Sequence, residues 1–234
     1  MQSEDRIIHF SAEFVHPPIP MKKDILQKLY FDLSKSREAA YDSSDFSNPV
    51  QPRFYSRRGK KTQSVALFLT DRVVIIEEWT DMSFRDFLER LQSVATHTMA
   101  ARGIERFMVH TGTIRSTFAL THFDDARVFL MDHACAQAGK MNDFFQRPIA
   151  TGGLRFVLPE TQEHPGNFHV LIESFRHSRN EVFVEVKGVF PRQPITAEQM
   201  GTAVENLESI RAFITDSVFP YMNQFDQPRE LPHD

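Results

Sequence analysis

Two apolar runs held apart by only two residues constrain this chain most. Ser64 to Leu69 and Arg72 to Trp79 flank Thr70-Asp71, a spacing that predicts a tight two-residue hairpin. In that register Val65 and Leu67 face Ile76 and Val74, while Ala66 and Phe68 face Ile75 and Val73. Both faces are apolar, so the reading places these strands centrally and covers them on both sides near the turn.

The remaining segments extend the pattern. Ile8, Phe10, Ala12 and Phe14 alternate with His9, Ser11 and Glu13, the period of a half-buried strand. His16-Pro17-Pro18-Ile19-Pro20 stops that strand and feeds a helix near Met21. Tyr41 to Thr62 reads as a long loop or an edge hairpin. Ser83 and Asp86 have capping spacing, and Phe84, Phe87, Leu88, Leu91 and Val94 form one stripe before Gly103 stops the helix. In the second half, Val170, Ile172 and Ser174 share a face with Val182, Val184 and Val186 only across an odd loop, which predicts His177-Ser178-Arg179 as that loop. Thr196 and Gln199 are spaced as a capping box that opens the last long helix, and Pro220 ends or kinks it.

The expected fold class is therefore α+β, with two hairpin-plus-helix halves whose mainly antiparallel sheet or sheets are covered by long amphipathic helices. The expected division is an N-terminal α+β half, 1–120, and a C-terminal α+β half, 121–234, packed closely, with a single domain as the alternative.

Composition narrows the function classes. In 234 residues, 41% are hydrophobic and 25% charged, with a net charge of -4. That balance excludes disordered and membrane-spanning classes and offers no global positive field for nucleic acid. The single Cys135 has no internal disulfide partner, and the polar start Met1-Gln2-Ser3-Glu4-Asp5-Arg6 is unlike a signal peptide, so the expected compartment is a reducing cytoplasm. Phe is used 22 times against 4 Tyr and 1 Trp, which suits a packed core, an apolar ligand site or an interface. No phosphate-binding glycine loop, paired-cysteine motif, His-Glu-x-x-His helix or Gly-x-Ser-x-Gly elbow is present, so no cofactor is expected.

Two clusters could carry chemistry. His122, Asp125, Asp132 and His133, with Asp124 and Cys135 nearby, could converge on a divalent ion if a helix placed them on one face. The competing reading is a solvated helix surface. Arg53, Arg57, Arg58, Lys60 and Lys61, interleaved with Phe54 and Tyr55, could track an anion or a nucleic-acid backbone, against the alternative of a solubilising loop. Glu77 and Glu78 are adjacent on a strand and face opposite sides, so they do not converge on one substrate.

Asp71-Arg72-Val73-Val74-Ile75-Ile76, then Trp79, then Phe84-Arg85-Asp86-Phe87, resemble a sporadically distributed family of uncharacterised bacterial proteins. Members pair a Pro-Pro element with such a strand, aromatic and helix segment and end in a long helix. That resemblance implies no activity and no catalytic residue. The expected function is a non-enzymatic binding or assembly protein, homodimeric, with a protein or a small apolar ligand as partner. The alternative is an enzyme or small-molecule binder with a Phe-lined pocket between the halves, using His or Asp from the region of His122 to His133.

Overall fold

The computed structural model describes residues 5–59, 61–137, 140–147 and 149–228. Its strands are β1 (Asp5–Val15), β2 (Ser43–Asp45), β3 (Arg53–Arg58), β4 (Thr62–Phe68), β5 (Arg72–Glu78), β6 (Val109–Ala119), β7 (Gly153–Leu158), β8 (Asn167–Ser174) and β9 (Glu181–Phe190). They form one nine-stranded sheet in the order β2-β3-β4-β5-β1-β6-β9-β8-β7, and every neighbouring pair is antiparallel. The α-helices are α1 (Lys23–Leu33), α2 (Phe84–Arg102), α3 (Ala126–Val128), α4 (Lys140–Phe145), α5 (Gly201–Phe213) and α6 (Phe219–Asn223). Wider π-turns span Phe129–Ala134 and Ile214–Val218.

This corrects the expected fold class. Both hairpins form, and in the expected registers: Phe68 opposes Val73 across Thr70-Asp71, and Ser174 opposes Val182 across an odd loop. But β1 and β6, which belong to neither hairpin, pair with each other and with β5 and β9. The hairpins thus become parts of one continuous sheet rather than two hairpin-plus-helix halves. Nor do long helices cover it. Among the described residues only α2, at 19 residues, exceeds 13, and α1, α2, α5 and α6 pack on one side of the sheet.

That side follows from the pleat. Phe54, Ala66, Ile75, Ala12, Gly112, Gly188 and Phe168 form one cross-strand row, and Phe10, Ile114 and Val186 lie in the next row on the same face. Tyr30 of α1 packs edge-on against Phe54 at 5.2 Å, and Phe87 of α2 stacks on Phe10 at 5.0 Å. Phe219 of α6 meets Phe118 at 5.4 Å. A Cβ on Gly112 would come within 2.7 Å of Leu207, and one on Gly188 within 2.8 Å of Ile210, so the glycine pair sets how closely α5 sits. Phe10, Phe14, Phe54, Phe68, Phe87, Phe107, Phe118, Phe129 and Phe190 are all but fully buried. At about 1.5–3 kcal/mol for each large side chain removed from water, these rings dominate the core.

The other face carries Val65, Leu67, Val74 and Ile76, which are half-buried rather than covered. The expectation that the first hairpin is covered on both sides is corrected accordingly. Between them run two ion pairs, Glu13 with Arg72 and Arg115 with Glu185 at 2.6 Å, and a hydrogen bond between His9 Nδ1 and the Glu78 carboxylate at 2.7 Å. Such pairs satisfy the charges at a half-wet surface without an element on top.

One end of the sheet is curled. In a flat sheet β5 and β8, four strand spacings apart, would lie about 19 Å from each other. The rings of Trp79, just beyond β5, and Phe175, just beyond β8, have centroids 6.3 Å apart. Phe175 in turn stacks on Phe183 of the uncovered face, so the sheet folds over that face here. Among the described residues no helix is long and apolar enough to cross a membrane.

Candidate functional site: an arginine-lined pocket at the curled end of the sheet

The loop joining β8 to β9 is closed by the Phe175 N–H donating to the Glu181 carbonyl at 2.9 Å. It brings Arg176, His177 and Arg179 to the end of the sheet. The segment entering α3 is tied to this loop by the Ala126 N–H, which donates to the Arg179 carbonyl at 2.8 Å. Asp125 caps α3 from an extended backbone and accepts the Arg127 N–H at 2.9 Å. The same carboxylate accepts Arg127 Nε at 3.0 Å and Nη2 at 2.6 Å, and Arg179 Nε at 3.2 Å. These donors, Arg127 foremost, hold the Asp125 carboxyl far below the usual carboxylate range.

Around this clamp lies a cavity of about 630 Å³, lined by Arg127, Arg176, Arg179, Ser174, Phe175 and His177 among others. Asp125 is the one acidic group in its wall, against three guanidinium groups, so the wall holds an excess of positive charge in an acidic protein. Arg176 has no ionic partner among the described residues. The Ser174 side chain is buried, and its hydroxyl has no hydrogen-bond partner among the described residues. Arg127 and Arg179 are 39% and 74% exposed, and ion pairs so wet contribute at most about 1 kcal/mol to stability. Stability alone is a weak reason for this concentration of arginine.

Trp79 lies behind the wall, against two of its residues, Phe175 and His177. Its φ of 47° is in the left-handed region, which costs a non-glycine residue about 1–3 kcal/mol. Its indole lies 5.5 Å from the ring of His177, with Lys61 Nζ 4.8 Å over it.

Of the residues singled out for metal, Asp125 alone lines this pocket. Asp125 is occupied by its two arginines. The His133 ring packs on Phe123 at 4.5 Å, and Asp132 lies on the same π-turn as His133. The backbone N–H of His122 donates to Asp226 at 2.9 Å. Among the described residues no three His, Cys, Asp or Glu side chains are placed to hold one ion. The helix that was to align them is instead a short α-turn running into a π-turn, with a different side-chain period.

The basic run is divided by the pleat of β3. Arg53, Tyr55 and Arg57 lie on the uncovered face, and Arg53 pairs with Asp45 at 3.0 Å. Arg58 is on the opposite side, 3.6 Å from Glu77 and 3.5 Å from Asp81. Lys61 covers Trp79, and Lys60 lies outside the described residues.

Sequence reasoning missed a buried network on the helix-covered side. Glu77 is fully buried, its carboxylate accepting Arg90 Nη1 at 2.8 Å and the Ser64 hydroxyl at 2.6 Å. Burial pushes its carboxyl up, against the pull of Arg90. Arg90 also donates to the Glu38 carbonyl at 2.9 Å and stands 5.3 Å from the ring of Tyr41. Both carboxylate oxygens are engaged, so this network braces α2 against the sheet rather than offering a free acid. A sequence signal existed in Glu77 and Arg90, since one lies in an apolar strand and the other between the stripe residues of α2.

Compared with known proteins, the chain matches no protein-family model and no curated protein.

Proposed function

We propose that this is a non-enzymatic binding protein that takes a small anionic ligand in the pocket between the β8–β9 loop and the Asp125–Arg127 segment. The observation that carries the reading is the unpaired Arg176 beside the Asp125-clamped Arg127 and Arg179, around a cavity of about 630 Å³. Asp125 holds the Arg127 fork and the Nε of Arg179 before any ligand arrives, which lowers the ordering cost of binding at this wall. Guanidinium forks match phosphate and carboxylate oxygens bidentately. The unpartnered Ser174 hydroxyl gains a partner when an anion fills the pocket.

Isothermal titration with inorganic phosphate at low ionic strength tests this. Saturable binding that weakens at least tenfold in Arg176→Ala is expected, and binding unaffected by that substitution refutes the reading.

A homodimeric state accords with the exposed edge of β7. That edge presents Phe156, Val157 and Leu158, which are 40%, 56% and 40% exposed, whereas the opposite edge, β2, has three polar residues. A long apolar edge is a template for a second strand. Native mass spectrometry distinguishes a dimer, lost on Val157→Lys, from a monomer. A reducing cytoplasm suits the single Cys135, whose thiol burial pushes up and away from the reactive thiolate.

A further inference from the structure

We infer that the ligand of this pocket carries a planar aromatic ring on its anionic group, with a nucleoside monophosphate as the simplest such molecule. The inference rests on the anion-binding reading above and adds the ring.

Its basis is the placement of Trp79. Side chains alternate along β5, so an extended residue 79 would point to the helix-covered side, as Glu77 does. The left-handed φ of 47° instead turns the indole onto the uncovered side, where it meets Phe175 and His177. Strained backbone persists where surrounding structure over-determines it, and it concentrates at binding sites. Here it completes an aromatic group in which Phe175 and His177 lie 5.3 Å apart, nearly perpendicular.

Packing alone does not explain that group. His177 is exposed, Phe175 and Trp79 are only half-buried, and Phe175 and His177 both line the cavity. The rings therefore offer π-surface beside the guanidinium groups of Arg176 and Arg179 in the same wall. A base stacks on such rings while its phosphate meets the arginines, and stacking of this kind is tolerant of which base is present. The cavity, about 630 Å³, lies within the range of small-ligand sites.

Trp79 is the chain's one tryptophan, so its fluorescence reports on the pocket through its contacts with His177 and Phe175. Titrations with AMP, adenosine and inorganic phosphate are read by that fluorescence and by calorimetry. AMP is expected to bind about tenfold or more tightly than phosphate and to change the Trp79 emission. His177→Ala, on the exposed loop, should remove most of the advantage of AMP over phosphate, read as the ratio of the two affinities in the same variant. Arg176→Ala should weaken both. If phosphate binds and AMP binds no more tightly, the ring is wrong and the anion site stands. If neither binds, the anion reading itself fails. If adenosine binds as well as AMP, the arginines play no part, and both are overturned.

Discussion

Removing the Arg90 guanidinium while keeping its bulk, as in Arg90→Met, leaves the Glu77 carboxylate buried with the Ser64 hydroxyl and a more distant Arg58 at 3.6 Å. Glu77 has no exposed surface, and the Arg90 side chain is only 9% exposed. Water therefore cannot replace the lost partner, and stripping one member from such a pair costs about 3–5 kcal/mol. With a urea m-value of about 2–3 kcal/mol/M, the unfolding midpoint should fall by about 1–2 M at pH 7. The sign of the pH dependence is a sharper check. Burial already holds the folded Glu77 carboxyl above its unfolded value of 4.5, and loss of Arg90 raises it further. A group raised on folding stabilises fully below its unfolded pKa and loses that contribution as pH rises through the folded one. The Arg90→Met deficit should accordingly be large at pH 7 and shrink toward pH 4.5, and Glu77→Gln/Arg90→Met should recover much of it at pH 7. Urea unfolding followed by far-ultraviolet circular dichroism reads all three proteins. A deficit that stays constant across this pH range, or a double variant no better than the single, would refute the account of Glu77 as a buried, paired charge.

The Tyr41 hydroxyl is buried without a hydrogen-bond partner among the described residues, so Tyr41→Phe should raise stability by about 1 kcal/mol, a higher thermal midpoint being the readout. His110 is stacked against Phe14 and Phe190, and burial lowers its pKa to about 3. Its neutral form stabilises fully above pH 6.5, and that contribution is lost as pH falls toward 3, by about 2 kcal/mol at pH 5. His110→Phe should flatten the wild-type loss between pH 7 and pH 4, and an unchanged slope would count against the assignment. Gly188→Ala drives a methyl group to within 2.8 Å of Ile210 and should cost about 1–3 kcal/mol in urea unfolding. Ile210→Val in the same chain should return part of it.

Local signals were legible where one short segment decides the outcome. Thr70-Asp71 fixes the first hairpin by its length, and the β-branched residues around His177-Ser178-Arg179 fix the second by parity. The Ser83 hydroxyl accepts the Asp86 N–H at 3.1 Å, and Gly103 ends α2 in the left-handed region. The capping box was misleading. The Thr196 hydroxyl bonds its own Glu198 in a turn, and α5 begins at Gly201. Pro220 acts as read, sitting at the start of α6 just after the π-turn that absorbs its missing N–H. The pairing of β1 with β6 was not legible, because both are two-sided strands about 100 residues apart and no local turn selects their register. At the site, Asp125 was visible as a polar residue in a cluster, but its chemistry was assigned from the acids and imidazoles beside it. Its true partners, Arg127 and Arg179, come from the next turn of chain and from a hairpin 54 residues away.

The central position of β6 has a consequence for how the protein emerges from the ribosome. The strands β1 to β5 and helix α2 can associate as soon as residue 103 is out, and β6 can then dock on β1. Its other edge must wait for β9, which begins about 60 residues after β6 ends, or about 3–12 s at usual translation rates. Throughout that interval β6 offers an unpaired edge with Ile114 and Phe118 uncovered by β9 and α5. Synthesis slowed between codons 120 and 180 should therefore raise aggregation more than an equal delay before codon 109.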